Sequence, residues 1–139
     1  MQQKSFATLT FALAAALIAC GTGADDAATA DPKTATITAE ALHQRLQAND
    51  AKPLVVDVRE PHEFTAGHIG GAQLAPLGGV VRDLGSVEKD REIVLVCRSG
   101  NRSGKAQKLL AERGYTSLRN MEGGMLAWEK RGYPVVTKP

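Results

Sequence analysis

Cysteine is scarce in this sequence: 139 residues hold two, Cys20 and Cys97. Two thiols so far apart exclude both a disulfide-stapled mini-domain and a four-cysteine zinc site, so each has to be explained alone. Basic runs are missing as well. The formal net charge is +2 at pH 7, and no Lys/Arg stripe with interleaved aromatics occurs, which removes the usual footprint of a nucleic-acid binder. His43 and His62 lack metal-ligand spacing, so no metal centre and no cofactor is expected. There is no internal repeat. With 43% hydrophobic and 23% charged residues, what remains is the composition of one ordinary globular domain, expected to be a monomer.

The first residues stand apart from that domain. Lys4 supplies a positive start, an apolar stretch runs from Phe6 to Ile18, and small residues follow, the layout of a secretory signal. The stretch is shorter than the about 20 residues of a membrane span. It ends Leu17-Ile18-Ala19-Cys20, which resembles a bacterial lipobox. That resemblance implies a signal peptide over 1–19, cleavage before Cys20 and lipid attachment to its thiol, with the protein anchored in a bacterial cell envelope and facing the periplasm or the exterior. Gly21 rather than Asp after the cysteine favours the outer membrane of a Gram-negative cell. The linker continues to residue 35. Residues 21–35 carry no aromatic or large aliphatic side chain and are expected to be a disordered tether of roughly 20 Å reach.

Residues 36–139 alternate in pattern. Thr38 is placed to cap a helix whose inner face is Ala39, Leu42 and Leu46, with Glu40 in its first turn. The runs Leu54 to Val58 and Ile93 to Val96 read as strands buried on both faces. Between them lie a short strand near Ala72–Leu74 and a short helix over Val80–Leu84. Ser103 to Arg113 reads as a helix, with Ala106, Leu109 and Leu110 inward and Gly114 as its stop. A strand near Ser117–Arg119 and a helix over Met125–Lys130 complete an α/β parallel sheet flanked by helices.

The chemistry concentrates after the second buried strand, in Cys97-Arg98-Ser99-Gly100-Asn101-Arg102-Ser103. Ligands of open α/β sheets bind at the carboxyl ends of strands. Loop amides and a helix N-terminus converging there form an anion nest, which lowers a thiol's pKa and is reinforced by Arg98 and Arg102. Gly100 gives the chain freedom to curl around the sulfur, and Ser99 and Ser103 offer hydroxyl donors. A lone cysteine can also be a buried structural thiol. Its place among Gly, Ser and Arg, at a strand end and before a helix, favours the reactive reading.

This loop resembles the active-site loop of the rhodanese superfamily. Three further segments carry the resemblance: Asp57-Val58-Arg59-Glu60 with Glu63-Phe64 and Gly67 to Ala72; Gly123-Gly124-Met125-Leu126-Ala127-Trp128; and Gly132-Tyr133-Pro134-Val135. The related phosphatases place an arginine six positions after the cysteine, where this chain has Ser103; the six-residue loop Cys97 to Arg102 resembles the sulfurtransferases instead. The resemblance implies a rhodanese-like domain over 36–139 in which Cys97 takes a sulfur atom from thiosulfate or a similar anion and passes it to cyanide or a thiol. Arg98, Ser99, Gly100, Asn101, Arg102 and Ser103 would bind the donor, Arg102 more firmly than Arg98. Asp57, Arg59, Glu63 and His68 would support the site rather than react, Trp128 would pack the core, and Met125 would fill space. A non-enzymatic sulfur carrier and a redox sensor are the competing classes; with Cys20 lipidated there is no resolving thiol for a disulfide switch.

Overall fold

The computed structural model describes residues 30–137. The signal-like segment, Cys20 and most of the expected tether lie outside the described residues.

Ten elements follow in order: β1 (Thr36–Ile37), α1 (Ala39–Gln47), β2 (Leu54–Asp57), α2 (Pro61–Ala66), β3 (Gln73–Leu74), α3 (Val80–Asp83), β4 (Ile93–Val96), α4 (Asn101–Glu112), β5 (Leu118–Met121) and α5 (Gly124–Lys130). The strands form one sheet in the order β1-β5-β4-β2-β3, and every pairing is parallel. The hydrophobic pattern of β4 explains its central place. Ile93, Val94, Leu95 and Val96 are all buried, as a strand covered by helices on both sides requires.

Because side chains alternate along a strand, β4 serves two cores. Ile93 and Leu95 pack with Val56, Val80, Leu84, Ala106, Leu110 and Tyr115, beneath α3 and α4. Val94 and Val96 pack with Val55, Leu42, Met121, Met125 and Trp128, beneath α1 and α5. Cys97 continues the first set, on the side of α4. The helices start where local chemistry permits. The Thr38 hydroxyl accepts from the Ala41 amide at 3.1 Å, as its capping position predicts. Pro61 opens α2, where its missing N–H costs nothing, and the Glu63 carboxylate accepts from the Glu60 amide at 3.0 Å.

Several boundaries differ from the sequence reading. The first long strand ends at Asp57, one residue early, because the Asp57 carboxylate turns back to accept from the Arg59 amide at 3.0 Å. Helix α4 starts at Asn101 rather than Ser103, since Gly100, at φ +98°, makes the whole turn itself. Helix α2 and strand β1 were not expected. Asp31 to Ala35, at the end of the expected tether, form a turn, and the Ala35 carbonyl accepts from the Asn120 amide and from Gln107 Nε2.

The cysteine loop and the Gly123-Gly124 motif meet in one close approach. The Met125 amide donates to the Cys97 carbonyl at 2.8 Å and the Leu126 amide to the Arg98 carbonyl at 3.1 Å. Gly124 lies at φ +55°, and a Cβ there would strike the Cys97 carbonyl oxygen and come within 2.6 Å of the Arg98 carbonyl. Gly132 also has positive φ, at +69°, but has nothing within 4 Å of a Cβ. Backbone strain at such positions costs about 1–3 kcal/mol, and a steric clash with backbone adds a similar amount. Gly124→Ala is therefore expected to lose about 2–5 kcal/mol in urea unfolding and Gly132→Ala distinctly less; equal losses would show that the close approach is not tight.

Candidate active site

Strand β4 delivers Cys97 to the carboxyl edge of the sheet, where the chain must turn within three residues into α4. The sulfur is held by donors from that turn. The Gly100 amide donates to Sγ at 3.1 Å, and the Ser103 hydroxyl lies 3.2 Å from it. Cys97 is 1% exposed, and this burial pushes the thiol pKa up. The Ser103 hydroxyl and the backbone amides of Ser103, Ser99 and Gly100 outweigh it and hold the thiol below its ordinary value. The expected nest is thus built mainly from amides and one hydroxyl. A groove of about 760 Å³ between Phe64, His68, Leu74 and Val136 does not include Cys97.

The two loop arginines differ. Arg102 lays both guanidinium nitrogens on the Glu63 carboxylate, at 2.6 and 2.8 Å. This fork lowers the Glu63 pKa from 4.5 to about 2, the Arg102 hydrogen bond being the largest cause, and raises that of Arg102. Arg98 is exposed, as are Ser99 and Asn101. The charge of Arg102 is thus already matched by a carboxylate from α2.

Asp57 and Arg59, expected to support the site, form a hydrogen-bonded pair of their own. Arg59 Nη2 donates to Asp57 Oδ2 and to the Gly67 carbonyl, both at 2.7 Å, and both side chains are nearly fully buried. The pair fastens the end of β2 to the turn that follows α2. One site residue had no place in the sequence reading. Asn120 of β5 reaches into the loop, with its Oδ1 2.6 Å from the Ser103 hydroxyl and its Nδ2 3.0 Å from the Gly100 carbonyl. Its signal was an amide side chain in a strand, where Asn is depleted.

Residues 38–131 match the family model of the rhodanese-like domain. The chain belongs to that family. It is similar to a sulfurtransferase of Allochromatium vinosum, 39% identical over 100 residues that cover 72% of this chain and 92% of the relative. A thiosulfate sulfurtransferase GlpE of Pseudoalteromonas translucida is 33% identical over 89 residues, 63% of this chain and 85% of the relative. Among solved structures, a rhodanese-related protein of Thermoplasma volcanium superposes with a TM-score of 0.67 at 32% identity, covering 75% of this chain and 99% of the other. These likenesses support sulfur transfer of the rhodanese type in general terms.

The remaining motif residues of this rhodanese-like domain are packed. His68 is 4% exposed, stacks on Phe64 at 3.5 Å and has Nδ1 2.8 Å from the Phe64 carbonyl, while its backbone pairs with Val136. Trp128 is buried, donates from Nε1 to the Pro134 carbonyl at 3.0 Å, and meets His43 and Tyr133 edge-on. Met125 is buried in the core under α1 and α5. His62 is exposed.

Proposed function

We propose that this rhodanese-like domain is a sulfurtransferase that carries sulfane sulfur on Cys97, with thiosulfate or a similar anion as donor. The observation that carries this reading is the Cys97 sulfur itself, at the carboxyl end of the central strand, inside a ring of donors from Gly100 and Ser103. In the loading step the Cys97 thiolate attacks the outer sulfur of thiosulfate. A bond forms between Sγ and that sulfur, the sulfur–sulfur bond within thiosulfate breaks, and sulfite leaves with its electron pair. In the discharge step cyanide or a thiolate attacks the outer sulfur of the persulfide and Cys97 leaves as thiolate. This is covalent catalysis by double displacement. The amides that hold the thiolate are placed to hold the terminal persulfide anion in turn.

An anionic donor is drawn most readily to a cation whose charge is not already matched. Arg98, exposed beside the nest, fits this role, whereas Arg102 is engaged by Glu63. The position of the domain in the cell is a further part of the proposal: cleavage before Cys20 and acylation of its thiol would hold the domain at a bacterial membrane, facing the periplasm or the exterior.

Three measurements test these readings. Intact mass after incubation with thiosulfate is expected to rise by one sulfur, with cyanide removing it, and Cys97→Ser is expected to take up none; uptake by the mutant would sink the assignment of the carrier. In steady-state kinetics Arg98→Ala is expected to raise the KM for thiosulfate about tenfold with kcat retained, the low end of a charge-assisted contact, and Arg102→Ala to raise it less. The reverse order would mean that the donor displaces Glu63 from Arg102. Expressed in a bacterial host, the full chain is expected to incorporate labelled palmitate and Cys20→Ser not to; absence of label from both would replace the lipid anchor by ordinary secretion.

A further inference from the structure

The Ser103 hydroxyl has one proton and two acceptors in reach, Cys97 Sγ at 3.2 Å and Asn120 Oδ1 at 2.6 Å. The identity of the Asn120 oxygen is fixed by its other end. The atom 3.0 Å from the Gly100 carbonyl oxygen must be the nitrogen, because two oxygens there would repel. Ser103 is fully buried and Asn120 half-buried, so water does not reach the Ser103 hydroxyl without entering the site.

When Cys97 is a thiol, every group is satisfied. The S–H donates to the Ser103 oxygen, the Ser103 hydroxyl donates to Asn120, and Asn120 donates to Gly100. When Cys97 loses its proton, the sulfur becomes an acceptor and the chain cannot hold. Either Ser103 turns its proton to the sulfur and Asn120 Oδ1 loses its donor, or Asn120 keeps the proton and the thiolate has one donor fewer. A persulfide returns Sγ to an uncharged, weak acceptor, and the Ser103 proton reverts to Asn120. We propose that Asn120 is a positioning residue whose side-chain carbonyl competes with the Cys97 sulfur for the Ser103 proton, favouring the states in which Sγ carries no charge. The amides of the loop pull the other way.

Several of the other charged groups of the site are held by partners. Arg102 of α4 is held by Glu63 of α2, and Arg59 is held by Asp57 at the end of β2. After β5, Glu122 accepts from the Thr36 hydroxyl at 2.6 Å, and Arg119 of β5 reaches the Thr36 carbonyl at 3.4 Å. Arg98 and Lys105 are exposed. The Asn120 side chain bonds to Ser103 and to the Gly100 carbonyl rather than to any of these groups, which leaves the Ser103 proton as the variable.

This inference rests on Cys97 being the reactive sulfur but not on its donor, so its test uses alkylation rather than sulfur transfer. The rate of Cys97 alkylation by iodoacetamide against pH is expected to shift to lower pH in Asn120→Leu, giving several-fold to tenfold more thiolate at a pH below the wild-type midpoint. Loss of the Gly100 anchor alone would loosen the nest and shift the curve the opposite way, so an unchanged or raised midpoint overturns the proposal. In a Ser103→Ala background the same Asn120→Leu change is expected to shift nothing, and a shift persisting there also overturns it. A second readout needs no variant at Asn120. In the wild type the side-chain carbonyl carbon of Asn120 is expected to titrate in NMR with the Cys97 midpoint, and in Cys97→Ser to lose that step; an Asn120 signal indifferent to Cys97 would refute the competition.

Discussion

The close approach of α5 to the end of β4 governs this site. The carbonyls of Cys97 and Arg98 are taken up by the amides of Met125 and Leu126, over a glycine that has no side chain to hold them apart. Once those two carbonyls are committed to the α5 side, the chain has one short way into α4. It passes through the positive φ of Gly100, and the amides of Ser99, Gly100 and Ser103 are left turned toward the sulfur. The nest is therefore a consequence of where the carbonyls go. A loop with free carbonyls would rotate one of them toward the thiolate and cancel part of the field that the amides create. This ties the cysteine loop to the Gly123-Gly124 segment, which lies more than twenty positions later.

Much of this architecture was legible in the residues. Continuous β-branched runs identified β2 and β4, because a strand buried on both faces has no polar alternation to hide it. Thr38 and Gly114 marked helix ends through capping chemistry that acts locally. The elements that escaped notice are short. Strand β1 has two residues, and α2 has six, too few for a helical period to repeat. The beginning of α4 was misplaced by two residues, since the arrangement depends on one glycine's dihedral rather than on composition.

The candidate site was legible as a loop but not as a set of pairings. Cys97, Ser103 and Gly100 converge as their spacing implied. The partner of Arg102 is 39 residues away on α2, and nothing in the local sequence distinguishes an arginine awaiting an anion from one already holding a carboxylate. Asn120 was hidden for the same reason. Its role comes from the β4–β5 register, which pairs Leu95 with Asn120 and so brings it alongside the strand that leads into Cys97.

The pairing of Arg102 with Glu63 gives the site a particular behaviour toward acid. A carboxylate whose folded pKa is depressed adds stability above its unfolded value, and that contribution fades as pH falls through the folded value. For Glu63 the window lies between about 4.5 and about 2, well below neutrality. Cys97 follows the same sign: its folded value is also depressed, so the thiolate's contribution is complete above the ordinary thiol range and is lost as pH drops through the lowered value. The ion pair that braces α2 against α4 persists down to the Glu63 window. The scaffold thus stays fixed while the sulfur gains and loses its charge, and the work of adjusting to that change falls on the Ser103 hydroxyl, the one donor in the ring that can turn without moving the backbone.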